Sequence, residues 1–166
     1  MGIWGDSRVA NIKNAARLAV LRERNSSLQE LFQKARRKLA AKGTGEGYQA
    51  LFEKLLMQAL IKVMEPKVVV NVREADLALA KKVIPGVVAE YEEKTRTKIE
   101  IKLDEKRFLP ASPLEVEDGA PSCCGGVLVS ARKGKIMCSN TLDTRLEIAY
   151  ENLLPQVRSM LFDESE

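Results

Sequence analysis

The sequence predicts an α+β protein, with a long N-terminal helix serving as a coiled-coil arm and a compact domain in which helices pack a roughly four-stranded mixed sheet. Three observations carry that prediction. No Pro or Gly interrupts Val9 to Leu39, where apolar residues keep helical spacing. Between Tyr48 and Leu103, two helical stretches with broad apolar stripes alternate with two short β-rich runs. From Gly125 onward, two short β runs around a glycine turn lead into a final helical stretch. Residues 1–7 read as a leader outside the fold, 8–42 as a basic helical arm and 43–166 as an α/β head domain.

In the arm, the apolar positions are Val9, Ile12, Ala16 and Val20, then Leu28, Phe32, Ala35 and Leu39. A helix of that length extends about 45–50 Å at 1.5 Å per residue. Its stripe is narrow, nearer a coiled-coil seam than a globular face. Arg24 and "NSS" interrupt it, and Ser27 with Glu30 offers a capping box for a second helix; a single helix is the favoured reading. "GTGEG" stops the helix and links it onward, since no strand precedes it and no Lys-Ser/Thr follows as a phosphate loop requires.

Tyr48 to Met64 then places Leu51, Phe52, Leu55, Leu56, Ala59, Leu60 and Val63 on one core-facing stripe, ended by Pro66. "KVVVNV" is a short β-branched run suited to a buried strand. Glu74 to about Thr95 is helical, with Leu77, Ala80, Ile84, Val87, Val88 and Tyr91 inward and a kink or new turn expected at Pro85. "KIEIKL" alternates as a half-buried strand near an edge. Asp104 to Pro121, rich in proline and acid, reads as a long surface loop without nameable chemistry. Val127–Ala131 and Ile136–Ser139 form a hairpin whose turn uses Gly134, and Gly125 and Gly126 mark a bulge or close backbone approach. Asn140 or Ser139 caps the last helix, to about Phe162, with Asp143 in its first turn and a bend at Pro155. Its core face is expected to be Leu142, Leu146, Ala149, Leu153, Val157 and Leu161.

Composition narrows the function classes. No stretch approaches the roughly 20 apolar residues of a membrane span, and no signal-peptide succession opens the chain, so a soluble intracellular protein is expected. Net charge is +4, yet Arg8 to Lys42 holds ten Lys/Arg against Glu23 and Glu30. The arm is basic and the rest mildly acidic, which suits an acidic partner: nucleic acid, anionic membrane or protein. The chain has no His, removing the usual general base near neutral pH. The adjacent carboxylates Glu92/Glu93 and Asp104/Glu105 diverge and read as solvated surface. Cys123, Cys124 and Cys138 cannot all pair within one chain and fall short of a four-ligand zinc site, so no metal or cofactor is expected.

"GGVLVSARKGKIMCSNTLDTRLEIAYENLLPQVRSMLF", Gly125 to Phe162, is more specific than composition. It resembles the C-terminal signature of the E subunit of the eukaryotic V-type proton-transporting ATPase. "LIKVMEPKVVVNVREADL" and "ARLAVLRERNSSLQELFQKARRKL" resemble that family's Glu-Pro strand start and its basic helix, so the likeness runs from about Val9 to the C-terminus. Members carry a longer N-terminal helix, so the sequence reads as a truncated or shortened member. The resemblance implies a non-catalytic stator of the peripheral stalk, whose helix pairs with the G subunit. Its C-terminal domain would dock near the top of the catalytic head, largely on a B subunit, beside other stalk or collar subunits. The implied location is the cytosolic face of vacuolar or other endomembranes, with membrane contact only through the complex.

The implied partner-binding positions of the arm are Ile12, Ala16, Val20, Leu28, Phe32, Ala35 and Leu39. For the last four, packing on a partner helix is favoured over folding back on the domain. The head-domain motif residues are Gly125, Gly126, Asn140, Thr141, Leu142, Asp143, Arg145, Leu146, Leu154, Pro155 and Arg158. For Asn140, Thr141, Asp143 and Arg145, helix capping and local pairing are favoured over contact with the head. Arg158 is left open between an acidic partner and solvent. Two other classes stay open: a basic nucleic-acid-binding module, although aromatic residues do not interleave with the basic ones, and a cysteine-based redox enzyme.

Overall fold

The computed structural model describes residues 3–116 and 119–162, with side-chain surroundings defined from Val9 onward. Of the seven residues read as a leader, Met1 and Gly2 lie outside the described residues, and the backbone is helical from Ile3. Among the described residues four α-helices and a four-stranded mixed sheet make the fold α+β. In chain order these are α1 (Ile3–Lys42), α2 (Tyr48–Val63), β1 (Lys67–Asn71), α3 (Leu77–Thr95), β2 (Glu100–Leu103), β3 (Gly126–Ala131), β4 (Ile136–Thr141) and α4 (Leu142–Leu161).

The residues pack as two units, one of Arg36–Asn152 and one drawn from Met1–Ala35 and Leu153–Glu166. The first boundary falls inside the predicted arm because Arg36, Leu39 and Ala40 are held by the larger unit: Leu39 packs on its core and Ala40 is fully buried.

In the larger unit the sheet order is β2-β1-β3-β4, with β2 on an edge as its charged alternation predicts. β1 pairs parallel with β2 and antiparallel with β3, and β3 pairs antiparallel with β4. Alternation sends Val68, Val70, Val127, Val129, Ala131 and Cys138 to one face, where α2 lies across β3 and β4 and against α3. Phe52, Leu56 and Leu60 of α2 are fully enclosed there. Each such side chain stabilises the fold by about 1.5–3 kcal/mol. In α3 the buried residues are Ala80, Val83, Val87 and Tyr91; Leu77, Ile84 and Val88 sit at its margin, and the helix continues through Pro85. Its first predicted turn is instead a 3-10 turn, Glu74–Asp76. Both α2 and α3 stop on left-handed residues, Met64 and Arg96, whose N–H groups bond back to Leu60 and Glu92.

The predicted core face of α4 needs correction. Leu142 is buried, but Leu146 and Val157 are only half-buried and Ala149, Leu153 and Leu161 are exposed. In the larger unit α2 and α3 fill the inner face of the sheet.

Candidate functional site

The motif residues meet at a joint inside the larger unit, where the end of α1 is fastened to the start of β3 and of α4. Gly43 lies so close to Cys124 that an added Cβ would stand 1.9 Å from its carbonyl oxygen. At Gly126 an added Cβ would stand 2.6 Å from the Asn140 carbonyl oxygen, and its φ of +99° also favours glycine. Gly126 is therefore a close backbone approach, whereas an added Cβ at Gly125 would meet the side chains of Tyr48 and Arg73. The carbonyl of Gly125 accepts the N–H of Leu142 at 2.9 Å, satisfying a first-turn donor of α4.

Arg73, Asp76 and Tyr48 form the centre of the joint. Arg73 is only 2% exposed, and its Nε and one terminal nitrogen donate to Asp76 at 2.7 and 3.0 Å. That same terminal nitrogen donates to the Gly43 carbonyl at 2.7 Å. The Tyr48 hydroxyl donates to Asp76 at 3.1 Å and accepts the Gly126 N–H at 2.8 Å. Burial pushes the Tyr48 hydroxyl well above its ordinary pKa, and the Asp76 carboxylate pushes further, so it remains protonated as this network requires. For Arg73, burial alone lowers the pKa, but the bonds and charge of Asp76 more than offset it.

A second cluster adjoins it through Cys124. Arg36 Nε donates to Asp143 at 2.7 Å, and its terminal nitrogen reaches the Ser122 carbonyl and hydroxyl at 2.8 and 3.0 Å. Asp143 also accepts the Cys124 N–H at 2.6 Å and its thiol at 3.3 Å. Burial alone raises the pKa of Asp143; the hydrogen bond from Arg36, that from Cys124 and the Arg36 charge outweigh it and hold the pKa below the ordinary value.

The cap of α4 differs from expectation: Thr141 fills that place, its hydroxyl accepting the Thr144 N–H at 3.2 Å. Asn140 turns aside, because its buried amide donates to the Leu55 carbonyl at 2.7 Å and to Gln58 at 3.1 Å on α2. Arg145 shares Gln58 at 2.7 Å. The hydrogen bonds of Asn140, Thr141, Asp143 and Arg145 are thus local ones, and Gly125, Gly126 and Leu142 complete the same joint. Leu146 lies beyond it.

The three cysteines are reduced and buried. Burial pushes the Cys123 thiol up to about 11 and, with the Asp143 charge adding, Cys124 up to about 12, opposite to what a reactive thiol needs.

In the smaller unit the arm residues divide. Ile12, Ala16 and Val20 are exposed, Ile12 at 69% and Val20 at 52%, as are Val9, Leu18 and Leu21. Leu28 is 3% exposed, beside a cleft of about 210 Å³ lined with it by Leu21, Arg24, Asn25, Arg158 and Phe162. The Arg24 guanidinium lies over the Phe162 ring, 5.2 Å from its centroid. Leu28 is therefore buried within its own chain, and Leu39 packs against the core of the larger unit. Phe32 and Ala35 are half-buried. Arg158 stands at the cleft, while Leu154 and Pro155 belong to the same stretch of α4.

Sequence reasoning missed Arg36, Tyr48, Arg73 and Asp76. Arg36 looked like one more cation of a basic face and Tyr48 like the start of a helix stripe. Only the run "VREAD" held a signal, since Arg and Asp three apart across a strand end can close on each other. The carboxylates of Asp76 and Asp143 are committed to arginines and backbone, so the arrangement fixes elements in place.

Among the described residues no helix is long and apolar enough to cross a membrane. A small mixed sheet covered on one face by two helices, and preceded by a basic helix, is the class that fold and joint define. Residues 6–162 match the family described as "ATP synthase (E/31 kDa) subunit", and the chain belongs to that family. Its relatives include the V-type proton ATPase E subunit of Dictyostelium discoideum, 37% identical over 158 residues, covering 95% of this chain and 67% of the relative. The corresponding E subunit of Drosophila melanogaster is 36% identical, covering 92% and 64%. The V-type proton ATPase E3 subunit of Arabidopsis thaliana is 35% identical, covering 90% and 66%. The chain spans about two thirds of the length of these curated relatives.

Proposed function

We propose that the chain acts as a non-catalytic peripheral-stalk component of a V-type proton ATPase, a stator that links the catalytic head to the membrane sector and resists rotary torque. Residues 8–42 are its arm and 43–166 its head domain. The observation that carries this reading is the exposed row Val9, Ile12, Ala16 and Val20 on α1. Three- and four-residue spacing places these on one side of a helix rich in Lys and Arg, a seam that an acidic helix such as that of the G subunit would complete. Nonpolar contacts supply cohesion there and charge supplies register.

The head domain meets the B subunit, with other stalk or collar subunits nearby. The protein works on the cytosolic face of an endomembrane and touches the bilayer only through the complex. Mixing the chain with the G subunit and measuring helicity by circular dichroism and mass by light scattering tests the pairing. Expected are a mass equal to one copy of each and more helix than the separate chains sum to. Unchanged mass and helicity remove the pairing. Retardation of RNA or DNA by the chain at physiological salt would favour the basic nucleic-acid-binding reading instead.

A further inference from the structure

The helices cover one face of the sheet, and the other face carries a groove of about 480 Å³ that the joint does not use. Its floor alternates apolar and small polar side chains: Val69, Ser130 and Met137 stand abreast, with Asn71 and Leu128 in the next row. Solvent-facing positions of a sheet with one covered face are ordinarily polar. Here Met137 is 64% exposed, and Phe108, 38% exposed, lies at the end of the groove with Leu109.

The loop that brings Phe108 there is fixed. The Asn71 amide donates to Asp104 at 3.2 Å and to the Arg107 carbonyl at 2.8 Å, and Asp104 accepts the N–H groups of Lys106 and Arg107. Leu109 N–H bonds to the Val72 carbonyl at 2.9 Å. Among the described residues lining the groove, Asp104 is the one carboxylate and is held by these bonds with the Arg107 charge nearby, whereas Lys133, and Lys102 beside Val69 on the neighbouring edge strand, make no ion pair. The groove is apolar at its centre and cationic at its rim.

We infer that this open sheet face is a docking surface for a protein segment that presents apolar side chains flanked by carboxylates. Charge complementarity selects the acidic flanks, and the apolar floor selects a protein segment over a phosphate backbone, which would leave Val69, Leu128 and Met137 unused. The inference rests on the stalk reading for the source of that segment, which is the catalytic head.

The test uses the full chain and a purified V-type head of catalytic A and B subunits. Wild-type chain, Met137→Asp, the pair Arg107→Glu and Lys133→Glu, and a control with Ile61→Asp on the outer side of α2 are titrated onto the head, and thermal melting confirms that each variant is folded. Expected are losses in affinity of at least tenfold for Met137→Asp and for the charge pair, with little change for the control. A photo-crosslinking residue at Phe108 should capture an acidic segment of the head. Wild-type binding with all variants unaffected overturns the docking face and leaves the stalk reading standing, whereas failure of the wild-type chain to bind the head overturns both. Retention of RNA or DNA that these variants abolish would assign the face to nucleic acid and overturn the inference.

Discussion

The two units treat similar apolar residues in opposite ways. In Arg36–Asn152 the β-branched and leucine side chains are closed over by α2 and α3, and the buried Arg73 and half-buried Arg36 meet carboxylates. In the unit drawn from Met1–Ala35 and Leu153–Glu166, Val9, Ile12, Leu18, Val20 and Leu21 stay in water, and Leu28 is the one large apolar side chain fully covered among its described residues. Equal hydrophobicity therefore gives unequal burial. A sheet brings residues from four strands and two helices to one place, whereas a narrow stripe on a helix needs a second surface along its length.

That contrast can be broken at several points, beginning with the largest effect. Arg73→Ala would leave the Asp76 carboxylate buried without its cation and the Gly43 carbonyl without its donor. The expected loss in urea unfolding is about 3–5 kcal/mol. Gly43→Ala drives a Cβ into the Cys124 carbonyl, and neither backbone can move independently; a loss of about 3 kcal/mol is expected by the same measurement. Leu28→Ala should cost about 2 kcal/mol, at the low end for a buried leucine because the adjoining cleft lets the site relax. If it costs nothing, the burial of Leu28 is not energetically equivalent to that of the core.

The fourth test concerns pH. Asp143 has a lowered pKa in the folded protein, so its contribution is present above the unfolded value of about 3.9 and is lost as pH falls through the folded value. Asp143→Asn should therefore be less stable than wild type at neutral pH, by about 1.5 kcal/mol. The two stability curves should converge below about pH 4. Parallel curves would mean that Arg36 gains nothing from the carboxylate. The smallest effect sharpens the contrast most: Ile12→Ala in the isolated chain should change stability by less than about 0.5 kcal/mol. With the G subunit present the same change should weaken the complex measurably by light scattering.

Much of the larger unit was legible because periodicity reports burial directly. "KVVVNV", "KIEIKL" and the hairpin around Gly134 became β1, β2 and the β3–β4 pair, and the stripe of α2 faces the core as spaced. The stripe of α4 was equally periodic yet is largely uncovered, since period shows which side of a helix is apolar and not whether anything lies against it. Thr141, not Asn140, caps α4 for a similar reason: both suit the place locally, and the Leu55 carbonyl, 85 residues away, claims the Asn140 amide. The joint was the least legible part. The residues that fasten it look like surface cations and a stray tyrosine until chain crossing brings Gly43, Cys124 and Gly126 together. The loop after β2 has no period to read, yet Asn71 and Asp104 pin its first residues and so shape the open sheet face.

The bond from Arg36 to Asp143 joins residues 107 positions apart. During synthesis the last turns of α1 emerge early, but their guanidinium has no carboxylate until almost the whole chain has followed. Closing so long a loop carries an entropic cost that the intervening strands must offset first. The early helix end is thus a seam left open until late, and amide exchange at Arg36 to Gly43 should slow only once the final helix has arrived.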